Sequence, residues 1–596
     1  MDQPHQRYGQ AGEGALSAAL RHASLILLVL LVAAMAYLAG VALTGGAAPF
    51  FAAQYLRTQD LAVAAVFALF WIMSGRIDPA RLGLDRAVPG PNAAGLRGAA
   101  LLALIVAAIG AVGVWLVFSG YGMAVDEHWA RSDGIVIGTG RGMALIPEAW
   151  RDYAAALQPR FARITPDGWW VSEYLPVNAA LQYLGGNLAS PLLAGWAVLV
   201  AADLARRLLP EHPGAPLVCA LLMASSAQLL VTAMTPFAMT AHLAFNLTWL
   251  WLLLHRDWRA QVAAMPVAFL AIGLHQAVFF PLFAAPFLLE TWLSGRRGAA
   301  MGQALAIGAA FLFWSAWDTI LYALLGAEPV TVSGGGTGTG TGLLFSRFLA
   351  LLRDFTPASA GLMAINLVRF VTWQNAAVLP LVLVAAAGAW RAGGAWRAML
   401  TGIVLTSGAV MVMLADQGHG WGYRYLHGYI GSACLLATFG WYRLPAAVRD
   451  GAAARGVLGA GIVLSLLLLP LRAWQAASFV GPYARADAAI AAMDADVVLI
   501  DAPRHVFALE LVRNDPLLRN RPKRMATASL TEAQLARICR DFTIARFADA
   551  DAARFGLDAV ENDLPLKRLP QGCGRAGQVG EASSNASIRA ALASQS

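Results

Sequence analysis

The sequence predicts an all-α polytopic membrane protein with about 13 transmembrane helices and a small C-terminal α/β domain. Three observations carry that expectation. Of 596 residues, 58% are hydrophobic and 13% charged, about half the roughly 25% charged share of an ordinary soluble domain. Apolar segments long enough to cross a bilayer recur along most of the chain. Arginines then cluster at every second connection, as the positive-inside rule requires.

The candidate spans run approximately over 24–43, 60–75, 98–119, 190–205, 215–231, 238–254, 261–274, 277–293, 301–325, 375–390, 398–415, 425–442 and 456–472. The first reads as a retained anchor preceded by a cytoplasmic segment, 1–23. Arg7 and Arg21 precede it; Arg76, Arg81, Arg86 and Arg97 follow the second span; Arg206, Arg207, Arg256, Arg259, Arg296 and Arg297 mark later inner loops. Arg391, Arg397, Arg443, Arg449 and Arg455 continue the alternation, which places the N-terminus in the cytoplasm of a bacterial inner membrane. Keeping Arg296 and Arg297 inside requires 261–293 to cross twice, with Leu274-His275-Gln276 at the outer apex. Every long connection then falls outside: 120–189, 326–374, 416–424 and the chain after 473.

The tail changes character, with charge rising and Asp496-Val497-Val498-Leu499-Ile500-Asp501 reading as a buried strand. We divide the chain into a transmembrane domain over 24–475 with its large outer loop 120–189, a periplasmic α/β domain over 476–578, and a disordered end over 579–596.

Composition also excludes chemistry. Four cysteines at no CxxC spacing rule out a zinc or disulfide scaffold, leaving Cys539 and Cys573 able to pair in an oxidising compartment. The net charge of +8 is scattered between apolar runs, so nucleic acid is not an expected partner. Lysine occurs only at Lys523 and Lys567, so arginine must do any phosphate work in the membrane region. The glycine-rich 333–342 lacks a flanking strand, helix and lysine, and reads as a linker or lid, not a nucleotide loop.

Two segments carry candidate chemistry. Asp126 and Glu127, in YGMAVDEHWAR beside His128, lie just beyond the third span, where a partly desolvated carboxylate suits a general base; a solvated acid pair is the plain alternative. Arg424, in ADQGHGWGYRYLHGY between Tyr423 and Tyr425, sits where an intramembrane cation calls for an anionic partner, a lipid phosphate being the natural one. Snorkelling to headgroups is its alternative. His275 and Gln276 suit a polar head group at similar depth, whereas His242 reads as a packing histidine. A divalent metal shared by Asp126, Glu127, His128, His275 and His419 has no motif to support it, and no cofactor is expected.

This layout resembles the GT-C superfamily of integral membrane glycosyltransferases, in the branch of protein O-mannosyltransferases and lipid A aminoarabinose transferases. The likeness covers about 20–475, and its sharpest element is Val125-Asp126-Glu127-His128-Trp129 in a large outer loop. It implies that Asp126 deprotonates the acceptor hydroxyl with Glu127 assisting, and that Arg424 and His275 hold a polyprenyl-phosphate donor. Tyr423, Tyr425, Gln276 and His128 would line the substrates, which are the lipid-linked sugar and a glycan, lipid or protein acceptor. Those relatives carry Asp-Glu after the first span, whereas two additional apolar segments precede it here. A transporter of a lipid-linked or anionic solute, or an assembly subunit without catalysis, are the competing classes.

Overall fold

The computed structural model describes residues 3–74, 79–88, 95–158, 160–329, 356–560, 570 and 573; the expected linker 333–342 and the end 579–596 fall outside them. Among the described residues, seven helices are long and apolar enough to cross a membrane: Gly14–Leu43, Phe50–Ser74, Gly95–Leu116, Val177–Leu208, Arg297–Ser315, Gly394–Met413 and Ala452–Ala491. The pair Ala215–Ala224 and Ala227–Ala233, bent by 64°, forms an eighth at most, and four apolar helices are shorter: Ala238–Leu254, Trp258–Ile272, Phe279–Leu293 and Val378–Ala392. The chain is thus a polytopic helical membrane protein, while the expected count of about 13 is not reached by length and composition alone. Segment 261–293 is two helices, with His275 and Gln276 in the break between them. The segment 326–374, read as a loop, contains the helix Pro357–Thr372, whose buried face includes Leu362, Ile365 and Val368. Its polar Asn366 and Arg369 interrupt the hydropathy by which a span is recognised, and both are buried.

The chain divides into two compact units. The larger comprises 1–113, 188–315 and 338–475. Its helices approach closely where side chains are absent: a Cβ on Gly440 would lie 2.0 Å from the Leu381 carbonyl oxygen. Packing through small residues is the way helices associate in lipid, where apolar burial gives no extra drive. Arginines complete the helix ends. Arg296 donates to the Leu253 and His255 carbonyls at 3.0 and 2.9 Å, backbone groups that a helix end leaves without a partner of its own, and Arg397 grips Glu290.

The second unit joins 114–187, 316–337 and 476–596. It holds an antiparallel sheet, with Trp169–Ser172 between Ala144–Leu145 and Ala162–Ile164. Its parallel sheet has Val497–Asp501 between Lys523–Ala526 and Ile544–Ala548. The central strand is buried at every position, as a parallel strand covered on both faces must be. The expected tail strand is therefore present, but the tail does not pack by itself. Ile146, Leu157 and Trp170 of the loop share one core with Val497, Leu499, Met525 and Ile538 of the tail, and Trp170 donates its indole N–H to the Pro516 carbonyl at 2.7 Å. Cys539 and Cys573 form a disulfide, leaving Cys219 and Cys434 as buried thiols.

Candidate functional site

The acid pair lies in the second unit, on the first turn of the helix Val125–Gly138. The helix N-terminus favours negative charge there. Glu127, at the third helical position, turns back so that its Oε2 accepts the Ala124 N–H at 2.8 Å; Ala124 has no side-chain acceptor to reciprocate, so only half a capping box forms. The other oxygen, Oε1, is buried without a hydrogen-bond partner among the described residues. Burial pushes the carboxyl up to about 7, against the Ala124 N–H and the charges of Arg513 and Arg131, which favour ionisation.

Asp126 is half-buried, and its Oδ1 accepts the Tyr174 hydroxyl at 2.6 Å. Tyr174 follows the central antiparallel strand, and its backbone N–H donates to Ser172 Oγ at 3.2 Å. Ser172 Oγ in turn donates to Asp133 on the same helix as Asp126. Strand and helix are thereby registered against each other, and the phenol is aimed at the carboxylate. His128 pairs with Ser132 Oγ at 3.2 Å; burial first, then Arg513, Arg524 and Arg131, holds its imidazole well below the usual range, so it is neutral at pH 7.

The tail supplies two groups that sequence reading missed. Arg513 donates to the Met123 carbonyl at 2.5 Å and to the Glu510 carbonyl at 2.8 Å, with its guanidinium 4.2 Å from the centre of the Tyr121 ring. Glu510 is buried, and desolvation pushes it up to about 7 as well. Nothing in the local sequence around 510–513 signals this role, because it arises from docking of the tail on the loop.

In the first unit, Arg424 opens a short 3-10 helix, Arg424–Tyr429. It lines a cleft with Met239, His242, Asn246, His275, Phe279, Thr406, Tyr425, Gly428 and Tyr429. The Arg424 N–H donates to Gln417 Oε1 at 2.9 Å, its guanidinium to the Tyr425 hydroxyl at 3.3 Å, and Tyr425 stacks on Phe279 at 5.3 Å. Of the expected donor residues, Arg424, His275 and Tyr425 share this cleft. Tyr423 is fully buried, its backbone carbonyl accepting from Gln228 at 2.7 Å, and Gln276 does not line the cleft. His128 belongs to the other unit.

His242, read from sequence as a packing residue, is a lining residue instead. Neither of its ring nitrogens, nor either of those of the buried His427, has a hydrogen-bond partner among the described residues. Leaving such groups unpaired costs roughly 1–3 kcal/mol each. The cleft itself brings the Arg424 guanidinium together with His242, Asn246 and His275. Among the described residues, no group of three or more His, Cys, Asp or Glu side chains is arranged to hold a metal ion.

No family model matches the chain, and no curated protein matches it. Among solved structures, the chain is similar to ArnT from Cupriavidus metallidurans in the apo state, with 14% identity, 69% of this chain and 84% of that chain covered, and a TM-score of 0.41. It is similar also to ArnT from Cupriavidus metallidurans bound to undecaprenyl phosphate, at 13% identity, 70% and 84% coverage and a TM-score of 0.39.

Proposed function

We propose that the chain is a membrane glycosyltransferase of the GT-C type, transferring a sugar from a polyprenyl-phosphate donor to an acceptor hydroxyl on the periplasmic face. The observation that carries this reading is the cleft in which a guanidinium, an asparagine and histidines meet within the helical bundle. A cation beside the ring nitrogens of His242 and the Asn246 carbonyl oxygen, unpartnered among the described residues, suits the phosphate of a lipid whose chain remains in the bilayer. Arg424 and Asp126 belong to different compact units, and each role rests on its own surroundings.

Asp126 is the general base, its carboxylate oriented by the Tyr174 hydroxyl. As the acceptor oxygen attacks the anomeric carbon, its proton passes to Asp126. The bond from that carbon to the phosphate oxygen breaks, and the polyprenyl phosphate leaves with the negative charge that Arg424 stabilises. A single displacement inverts the anomeric configuration. Glu127, buried and with its carboxyl pushed up to about 7 by burial, assists by holding the Ala124 N–H at the start of the helix that carries Asp126.

The test is release of undecaprenyl phosphate from a panel of undecaprenyl-phosphate sugars by the full chain in nanodiscs. Asp126→Asn should lower turnover by roughly 10²-fold or more, the usual scale of general-base catalysis. Arg424→Ala should raise the donor KM. Unaltered turnover in a folded Asp126→Asn protein would sink the assignment of the base.

A further inference from the structure

We infer that Asp60 and Arg369 are positioning residues for the donor cleft, setting the backbone of the segment that carries Arg424; this rests on the function proposed above. The helix Phe50–Tyr55 does not continue regularly into the helix Leu61–Ser74: Leu56–Asp60 forms a π-turn between them. Such turns are rare and re-aim side chains. Here it turns Gln59 and Asp60 into the bundle, where Asp60 is completely buried.

Two arginines meet that single carboxylate. Arg369, from the helix Pro357–Thr372, donates to Asp60 Oδ2 at 3.2 Å, and Arg472, from the last long helix, lies 3.5 Å from Asp60 Oδ1. Thr372 Oγ1 and the Trp373 indole also donate to Oδ1, at 3.0 and 2.9 Å. Every side of the carboxylate is thus engaged. The remaining guanidinium donors show what the cluster does. Arg369 donates to the Gly420 carbonyl at 2.8 Å and the Gly422 carbonyl at 3.2 Å. The neighbouring Tyr55 ring lies 4.4 Å from that guanidinium and hydrogen-bonds His419 through its hydroxyl. Gln228 from a third direction holds the Tyr423 carbonyl, and Gln417 binds the Arg424 N–H.

The stretch 417–423 has no regular helix or strand of its own, and its Gly420 and Gly422 carbonyls are held by Arg369, with Gln417 also donating to the latter at 3.3 Å. Burying a guanidinium requires a counter-charge, and Asp60 provides it. The second of the three apolar segments that precede the Asp126-Glu127 pair thus brings the carboxylate that allows Arg369 to sit behind the Arg424 loop.

The experiment uses the full chain in nanodiscs, with undecaprenyl phosphate as the binding probe and hydrogen exchange of the 415–424 amides as the second readout. Arg369→Lys keeps the charge opposite Asp60 but loses the fork that reaches both glycine carbonyls; Asp60→Asn keeps shape and loses charge. Glu290→Gln, which breaks the Arg397–Glu290 pair, is the control for a general loss of stability. We expect Arg369→Lys and Asp60→Asn to weaken probe binding roughly tenfold or more, the scale of losing charge-assisted hydrogen bonds, and to speed exchange in 415–424. Glu290→Gln should change the melting temperature alone. If Asp60→Asn does not fold, Arg369→Lys decides. Wild-type exchange and probe affinity in a folded Arg369→Lys protein overturns the inference. Should the wild-type chain not bind undecaprenyl phosphate, the proposed function fails, and the exchange rates alone decide whether Arg369 sets the loop.

Discussion

Glu127→Gln tests the acid site through stability, without any knowledge of substrate. The Glu127 side chain is 1% exposed, and burial raises its carboxyl from an ordinary 4.5 to about 7. The folded chain thus retains a proton that the unfolded chain releases, so stability is greatest at low pH and falls as pH climbs from about 4.5 to about 7, then levels off. Each tenfold difference in proton affinity is worth 1.36 kcal/mol, so ionising Glu127 in place costs about 3 kcal/mol of folding free energy at pH 8. Glutamine keeps an oxygen for the Ala124 N–H and never ionises. Asp133 and Glu510, which titrate near the same pH for the same reason, remain in both proteins and largely cancel in the comparison. Equilibrium unfolding of the full chain in mixed micelles, followed by tryptophan fluorescence across pH 4.5–8.5, should show the two stabilities diverging with rising pH. The variant should gain about 3 kcal/mol on wild type by pH 8. Parallel curves would refute the reasoning, since they would mean that Glu127 is ionised in the folded protein at neutral pH or is open to water.

Removing the Tyr174 hydroxyl that orients Asp126, as Tyr174→Phe, should lower turnover about 3- to 10-fold with donor KM unchanged, the effect of one hydrogen bond to a charged group; a steady-state split of kcat and KM checks this. Arg424→Lys should recover only part of the donor affinity lost in Arg424→Ala, because an ammonium cannot present two parallel donors to phosphate; titration with undecaprenyl phosphate measures it, and unchanged affinity in a folded Arg424→Ala protein would return Arg424 to a snorkelling role. Alkylation of the denatured, unreduced chain should label Cys219 and Cys434 only, with Cys539 and Cys573 appearing after reduction; mass spectrometry counts the adducts.

Hydropathy and arginine spacing were enough to identify a polytopic helical membrane chain, because crossing a bilayer constrains consecutive residues and leaves a local trace. The buried strand at Val497–Asp501 was legible for the same reason, as an unbroken apolar run. Asp126 and Glu127 stood out as an acid pair just past a span, and Arg424 as a cation at the start of one on the side opposite the arginine-rich loops, where an ionised group calls for a partner. Asp60, Arg369 and Arg472 carried that same signal inside or beside apolar stretches and were passed over, since no single one of them shows which partners it meets.

What the sequence by itself determined is the class of molecule: which segments seek lipid, which are polar, and which few ionisable groups need explanation. Only the tertiary structure decided how those groups combine. It drew Arg513 and Glu510 from the tail to the Met123–Glu127 segment. It placed His242 on the wall of the Arg424 cleft, and it set one carboxylate between two arginines from helices more than three hundred residues from it along the chain. The physical reason is one of range. Transfer to lipid acts on each segment separately, whereas hydrogen bonds and ion pairs act over a few ångströms between residues that only packing brings together.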